Sequence, residues 1–184
     1  MAFLSFRKIF EKGGGLPDAF LNGGESFVCG MDEVGRGPWA GPLLACAFMM
    51  PKAMKLGGLK DSKQLSAEKR EKFYRVLVLK GWHGLGAATV EEIDSVGLTG
   101  AMKLAYMRAL ENLLTMNGGV KPAYLLIDGR DKMDLGYPSK SIIKGDERVR
   151  HIACASIIAK VERDRIMKEM AKKFPQYGFD LHKG

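Results

Sequence analysis

Hydrophobic positions along the chain form two patterns, short apolar runs and longer stretches in which apolar residues recur at helical spacing. The short runs predict strands at residues 27–32, 43–50, 82–90, 123–127 and 141–143. Helical spacing predicts helices from an N-cap at Ser66 to about Leu79, over 98–116 and over 151–173. Strands followed by helices, around a continuous apolar run typical of a fully buried strand, predict a mixed α/β sandwich.

The first residues differ from the rest of the chain. Residues 3–10 have the apolar spacing of one or two helical turns, and the glycines at 13–15 and 23–24 interrupt regular structure. We therefore expect a flexible N-terminal extension over residues 1–24 and one compact domain over residues 25–184. A chain of 184 residues is long enough for a substantial hydrophobic core.

Composition limits the classes of partner and the cellular compartment that we expect. A formal net charge of +8 favours a polyanionic partner such as nucleic acid, although charge alone also fits a merely basic protein. Three widely spaced cysteines in apolar surroundings predict buried reduced thiols rather than disulfides or a zinc site. We find no signal-peptide pattern and no apolar run of membrane-spanning length. We therefore expect a cytoplasmic protein without a membrane partner. We also expect a monomer.

The most informative motif starts with two adjacent carboxylates, Asp32 and Glu33, at the end of an apolar run. A glycine-framed arginine, Gly35-Arg36-Gly37, follows directly. Carboxylate oxygens are ligands that Mg²⁺ prefers, and flanking glycines let the backbone approach a ligand closely. On a basic protein this combination suggests chemistry on a phosphate ester. Taken alone, however, these residues fit a solvated turn equally well.

Two further acids occupy similar positions. Asp128 ends the apolar run at 123–127, and Asp146 follows the short strand predicted at 141–143. Acids at the ends of adjacent strands can converge, and two divalent ions about 3.5–4 Å apart can activate water for phosphodiester hydrolysis. The chain has no Ser-His-acid order, Walker motif or dinucleotide fingerprint that would indicate another chemistry.

Six blocks of sequence, in a fixed order, resemble ribonuclease HII, the bacterial type 2 ribonuclease H. The blocks lie at residues 32–38, 59–66, 126–129, 144–146, 155–164, and 174–179 with 182–184. Each block is short, but the series is highly specific and extends over nearly all of the chain after residue 30. Residues 1–24 have no part in the resemblance.

The resemblance implies a ribonuclease H-like fold, a mixed five-stranded sheet flanked by helices. It implies hydrolysis of the RNA strand of RNA–DNA hybrids and incision 5′ of ribonucleotides embedded in duplex DNA. The implied mechanism uses two metal ions, Mn²⁺ or Mg²⁺, and leaves 3′-hydroxyl and 5′-phosphate ends. Such hybrids and ribonucleotide-containing duplexes would be the partners of the protein.

The resemblance also assigns roles to residues. Metal binding and catalysis fall on four carboxylates: Asp32, Glu33, Asp128 and Asp146. The Gly35-Arg36-Gly37 turn falls on the element that reads the ribose, and Lys63 falls where the family contacts the substrate backbone. These residue types suit the task, because the 2′-hydroxyl separates RNA from DNA and backbone groups of a glycine-rich turn can hydrogen-bond to it.

Other polar residues in the matching blocks are expected to have structural roles. We expect Asp61 to organise its own turn, and Glu162 and Asp164 to form surface contacts or ion pairs on their helix. For Ser156 and Lys160, on the same predicted helix, we expect packing roles.

One departure from the family leaves two functions open. After His-Lys-Gly the family continues into a tyrosine that stacks on a sugar and into further helices. This sequence stops at Gly184, and we expect it to lack that segment. The chain is then either a metal-dependent endoribonuclease or a catalytically weak nucleic-acid-binding remnant of the same fold. The complete set of four acids favours the enzyme, because a binding remnant has no need of clustered like charges.

Overall fold

The computed structural model describes residues 3–10, 27–52, 54, 56, 59, 65–182 and 184. Within them, one mixed sheet contains the strands β1 (Val28–Val34), β2 (Leu43–Met49), β3 (Trp82–Ala88), β4 (Tyr124–Asp128) and β5 (Ser139–Ile142). The five strands are ordered β3-β2-β1-β4-β5. Strands β1, β2 and β3 pair antiparallel, whereas β4 pairs parallel with both β1 and β5. The predicted mixed five-stranded sheet is thus confirmed.

Helices cover both faces of this sheet. They are α1 (Phe6–Phe10), α2 (Ala67–Lys80), α3 (Val90–Met116), α4 (Gly145–Arg148), α5 (Arg150–Lys173) and α6 (Phe179–His182), with a 3₁₀ turn at Pro175–Tyr177. Helix α2 begins as predicted, because the Ser66 side chain accepts a hydrogen bond from the Lys69 N–H at 3.3 Å. Helix α3 packs on one face of the sheet and α5 on the other.

The start of α3 differs from the prediction. The helix begins at Val90 rather than residue 98, because Thr89 and Glu92 form a reciprocal capping box. The apolar stripe breaks between the two starts, where Gly97 has a φ of 71° and kinks the helix. The helical repeat therefore marks only the part after the kink.

Strand β2, which lies between β3 and β1, contributes side chains to two hydrophobic clusters, one on each face of the sheet. All seven of its residues are buried. Alternate side chains, from Leu43 to Met49, pack under α3, whereas Cys46 and Phe48 pack under α5. The sheet thus forms the middle layer of a sandwich, and its buried strands have fixed positions relative to both helices.

Glycines allow both long helices to lie directly on the sheet. A Cβ atom built on Gly30 of β1 would lie 2.2 Å from the His151 carbonyl carbon in α5. A Cβ built on Gly86 of β3 would lie 2.1 Å from the Ala105 carbonyl oxygen in α3. Neither position has room for a methyl group, so these glycines determine how closely the backbones approach.

The N-terminal residues that the structure describes contact the rest of the chain. Ile9 and Phe10 are buried, and the Leu4 N–H donates to the Arg148 carbonyl oxygen at 2.7 Å. The Lys140 ammonium donates to the Ile9 carbonyl oxygen at 2.6 Å. Residues 3–10 of the expected flexible extension are therefore packed, while residues 11–26 lie outside the described part of the chain.

Two expectations from composition can be compared with the structure. Cys29, Cys46 and Cys154 are buried and form no disulfide, as predicted. Among the described residues, no helix combines the length and apolar character that crossing a membrane requires.

We predict that Gly86→Ala destabilises the fold. The added methyl group would overlap the backbone of α3, so the free energy of unfolding should fall by about 1–3 kcal/mol, the usual cost of overpacking. Urea denaturation followed by circular dichroism measures this loss. Gly37→Ala is the matched control, because a Cβ built on Gly37 meets no atom within 4 Å. Equal unfolding midpoints for the two variants would contradict the predicted close approach.

Candidate active site

Three of the predicted acids lie at the ends of two neighbouring parallel strands. The register of β1 and β4 pairs Met31 with Ile127, so the next residues, Asp32 and Asp128, emerge side by side at the same edge of the sheet. Glu33 follows Asp32 and points to the opposite face, toward α3. The sequence folds this way because both strands are apolar up to these acids.

The fourth acid reaches the same edge from the turn after β5. Asp146 lies in α4, is 1% exposed, and accepts a hydrogen bond from the Glu147 N–H at 3.0 Å. The preceding Gly145 N–H donates to Asp128 Oδ1 at 2.5 Å. This bond joins the turn to β4 and brings the acids of both segments together.

All four predicted carboxylates line one cavity of about 360 Å³. The lining residues are Asp32, Glu33, Val34, Arg70, Asp128, Asp146, Ser156, Ile157 and Lys160. The structure therefore brings together acids that are up to 114 positions apart in the sequence (from 32 to 146).

Burial and mutual repulsion disfavour the ionised form of these acids. Burial raises the pKa of Asp32 well above its usual value, and repulsion from Asp128, Glu33 and Asp146 raises it further, against a hydrogen bond from Ser156. The pKa of Glu33 is also raised, chiefly by burial. A cation in the cavity would remove this repulsion, which is the electrostatic condition for a divalent-ion site.

The donor set fits a hard divalent ion, since it consists of carboxylate oxygens. Among the described residues, however, no three Asp, Glu, His or Cys side chains already converge as a complete metal centre. Mg²⁺ commonly binds through one or two carboxylates, keeps several waters and takes further oxygens from a substrate phosphate. The cavity thus fits an ion that shares its coordination with water and substrate.

Tyr106 belongs to the site although the sequence did not indicate it. Its ring projects from α3 and is fully buried in the core, and its hydroxyl donates a hydrogen bond to Glu33 Oε2. Burial and the neighbouring acids raise the pKa of Tyr106 well above its usual value, so the hydroxyl keeps its proton. The only signal in the sequence was a tyrosine within an apolar helical stripe, which also fits an ordinary core residue.

The expectation that Ser156 and Lys160 serve packing is wrong. Both side chains line the cavity, because residues four apart on α5 share the face that meets the end of β1. The Lys160 ammonium also contacts Asp164 Oδ1 at 2.8 Å. The predicted ion pairs of α5 are confirmed by this contact and by the Arg165–Glu162 pair at 3.0 Å. Asp61 lies outside the described residues.

The glycine-framed turn lies in the loop 35–42, which connects β1 to β2. Gly35 has a φ of 104°, a left-handed conformation that favours glycine. Arg36 is half-exposed and contacts Asp131 at 3.4 Å. Gly37 is open to solvent, so its backbone groups are accessible to a ligand. Lys63, the predicted backbone contact, lies outside the described residues.

Arg163 fixes this loop, a role that the sequence did not reveal. Its side chain is 1% exposed, and its guanidinium donates to the Ala40 carbonyl oxygen at 2.9 Å and the Pro42 carbonyl oxygen at 3.1 Å. In the sequence, Arg163 stands between acids on a polar helix, which predicts a surface ion pair. Helix α5 instead turns this side chain toward the loop.

Fold and site together define the class: a hydrolase with a carboxylate-lined cavity at the edge of a ribonuclease H-like sheet. The family model of ribonuclease HII matches residues 29–184. The chain therefore belongs to the ribonuclease HII family, and it is a metal-dependent endoribonuclease that acts on RNA–DNA hybrids.

Individual relatives agree with this assignment. The chain is 45% identical to Ribonuclease HII of Cupriavidus metallidurans over 159 residues, which cover 85% of this chain and 69% of the relative. It is 39% identical to Ribonuclease HII of Caldicellulosiruptor bescii over 170 residues, 92% of this chain and 80% of the relative. A chain in the solved PCNA:RNase HII complex from Archaeoglobus fulgidus superposes with a TM-score of 0.66 at 27% identity, covering 80% of this chain and 77% of that one.

We predict that Tyr106→Phe lowers kcat/KM about tenfold, because Glu33 loses a hydrogen bond to a charged group, worth about 1.5–3 kcal/mol. Steady-state cleavage of an RNA–DNA hybrid at saturating Mg²⁺ measures the effect. Tyr124→Phe is the matched control, since it removes a hydroxyl that contacts the Ser139 carbonyl oxygen outside the cavity. If both variants cleave as the unmodified chain does, Tyr106 does not position Glu33.

Proposed function

We propose that the chain incises nucleic acid on the 5′ side of ribonucleotides, both in RNA–DNA hybrids and at ribonucleotides embedded in duplex DNA, leaving 3′-hydroxyl and 5′-phosphate ends. The observation that carries the proposal is the convergence of Asp32, Glu33, Asp128 and Asp146 on one cavity. The Gly35-Arg36-Gly37 loop continues directly from β1, so a ribose-reading element would lie next to the reacting phosphate.

In this proposal the four acids of the cavity hold two divalent ions, Mg²⁺ or Mn²⁺. When bound there, two such ions would supply the activation of a water and the stabilisation of the leaving 3′-oxygen of the phosphodiester. The Gly145 N–H fixes one oxygen of Asp128, and Tyr106 fixes one oxygen of Glu33. These hydrogen bonds hold the orientation of the two carboxylates that would bind the ions.

The basic residues of the cavity are suited to binding the substrate phosphate. Arg70 and Lys160 line the cavity with the acids, and each carries a positive charge that attracts a phosphate. Both side chains are also held by hydrogen bonds. Arg70 donates to the Leu65 carbonyl oxygen at 3.2 Å, and Lys160 donates to Asp164. We propose that they hold the phosphate at the acids and that Lys63 contacts the substrate backbone.

Discrimination between RNA and DNA is assigned to the Gly35-Arg36-Gly37 turn. The 2′-hydroxyl both donates and accepts hydrogen bonds, which matches backbone N–H and carbonyl groups. The absence of a side chain at Gly37 leaves that backbone accessible to a sugar.

A monomeric state and a cytoplasmic location complete the proposal. A catalytically weak binding remnant is the less favoured function, because binding alone does not require four clustered acids.

We predict that Asp128→Asn keeps the fold but lowers incision at least about a hundredfold, because one charged ligand is lost from a site that contributes several kcal/mol to the reaction. The assay measures cleavage of a duplex with one ribonucleotide at saturating Mg²⁺, and circular dichroism reports folding. Asp94→Asn is the matched control, as Asp94 is exposed and is not among the residues that line the cavity. Incision by Asp128→Asn at a rate close to that of the control would refute the assignment.

A further inference from the structure

Trp39 is fully exposed, with a relative accessibility of 102%. Tryptophan is highly buried on average, but single exposed apolar residues are common on protein surfaces. Exposure alone therefore does not indicate a binding role, and the position of the ring in the fold is the observation that can. Trp39 lies in the loop 35–42, two residues after Gly37 of the glycine-framed turn.

The backbone that carries Trp39 is held in place. The carbonyl oxygen of the next residue, Ala40, accepts from the buried Arg163 at 2.9 Å, and the Pro42 carbonyl oxygen accepts from the same guanidinium at 3.1 Å. A Cβ built on Gly41 would lie 2.6 Å from Met167 Sδ, so the loop also lies directly against α5. The protein thus presents the indole ring to solvent from an anchored loop.

The ring is within reach of any duplex bound at the cavity. Val34 lines the cavity, and the five steps along the chain from Val34 to Trp39 span at most about 18 Å at about 3.6 Å per step. A nucleic acid strand rises about 3.4 Å per nucleotide. Trp39 therefore lies within a length of about five nucleotides of Val34 at the cavity.

We propose that Trp39 packs against the minor-groove side of the bound duplex, on the sugars that flank the ribonucleotide. The inference rests on the proposed function, because a turn that reads the 2′-hydroxyl faces the minor groove, where that group is displayed. Minor-groove proteins use apolar side chains as wedges and contacts in this groove. The indole N–H is a donor, and the minor-groove edges of A·T pairs offer only acceptors.

The amount of apolar surface favours a nucleic acid over a protein partner. One aromatic side chain buries about 150–250 Å², whereas a stable protein interface needs about 800 Å² from each partner. The neighbours Arg36 and Gly37 are exposed but not apolar. A single ring is sufficient for a contact with one or two sugars and too small for a protein interface.

The test compares Trp39→Ala and Trp39→Phe with Leu79→Ala, which removes an 81%-exposed apolar side chain from the end of α2. Steady-state cleavage of a duplex with one ribonucleotide gives KM and kcat. We expect KM to rise about tenfold in Trp39→Ala, less than threefold in Trp39→Phe and not at all in Leu79→Ala, with kcat affected less than KM. Circular dichroism checks that each variant is folded.

Fluorescence provides a second, direct measurement. The chain has two tryptophans, so Trp39→Phe leaves Trp82 alone and the difference between spectra reports Trp39. Adding the duplex in the presence of chelator should quench the Trp39 signal and leave that of Trp82 unchanged. Unchanged KM in Trp39→Ala, or no quenching, would overturn the proposal. So would loss of a concentration-dependent dimer in Trp39→Ala, because the ring would then serve protein association.

The two proposals fail in different ways. If the unmodified chain binds the duplex and its Trp39 is quenched but no incision follows, the proposed function is wrong and the contact stands. If the unmodified chain incises at ribonucleotides and Trp39→Ala does so with the same KM, only the Trp39 contact is wrong.

Discussion

The parallel pairing of β1 with β4 is the constraint on which the site depends. Its register places Asp32 beside Asp128, two carboxylates that would repel each other if the chain were free to separate them. Strand pairing and the burial of both strands prevent that separation. The hydrophobic core therefore holds together charges that oppose their own proximity, and the resulting repulsion creates the demand for cations.

The two long helices shape this edge differently. Helix α5 lies directly on β1, because Gly30 has no side chain, and this contact brings Ser156 to Asp32. Helix α3 brings Tyr106 to Glu33 from the opposite face. Each of the two adjacent acids thus has its own partner on its own side of the sheet. The same helix α5 carries Arg163, so one element positions both the acid cavity and the loop 35–42.

The sequence predicts the parts of this arrangement that have a strong local pattern. Apolar runs that end in acids identified β1 and β4 with Asp32 and Asp128, and the motif blocks identified Asp146. Tyr106 and Arg163 escaped prediction because their roles depend on the direction in which a helix faces after packing. A tyrosine in an apolar helical stripe resembles a core residue, and an arginine between acidic residues resembles a surface residue. The start of α3 was missed because its cap, at Thr89, lies before a kink that interrupts the repeat.

The fold holds together carboxylates that repel one another, and bound divalent ions would remove that repulsion. Thermal unfolding of the unmodified chain and of Asp32→Asn, with Mg²⁺ or Mn²⁺ and with chelator at equal ionic strength, tests it most directly. Ions that bind only the folded state raise its stability by mass action, so the Tm of the unmodified chain should rise with the metal. Asp32→Asn should have a higher Tm than the unmodified chain in chelator, because one repelling charge is gone, and should gain less from metal. A Tm that is insensitive to both metal and substitution would contradict the account.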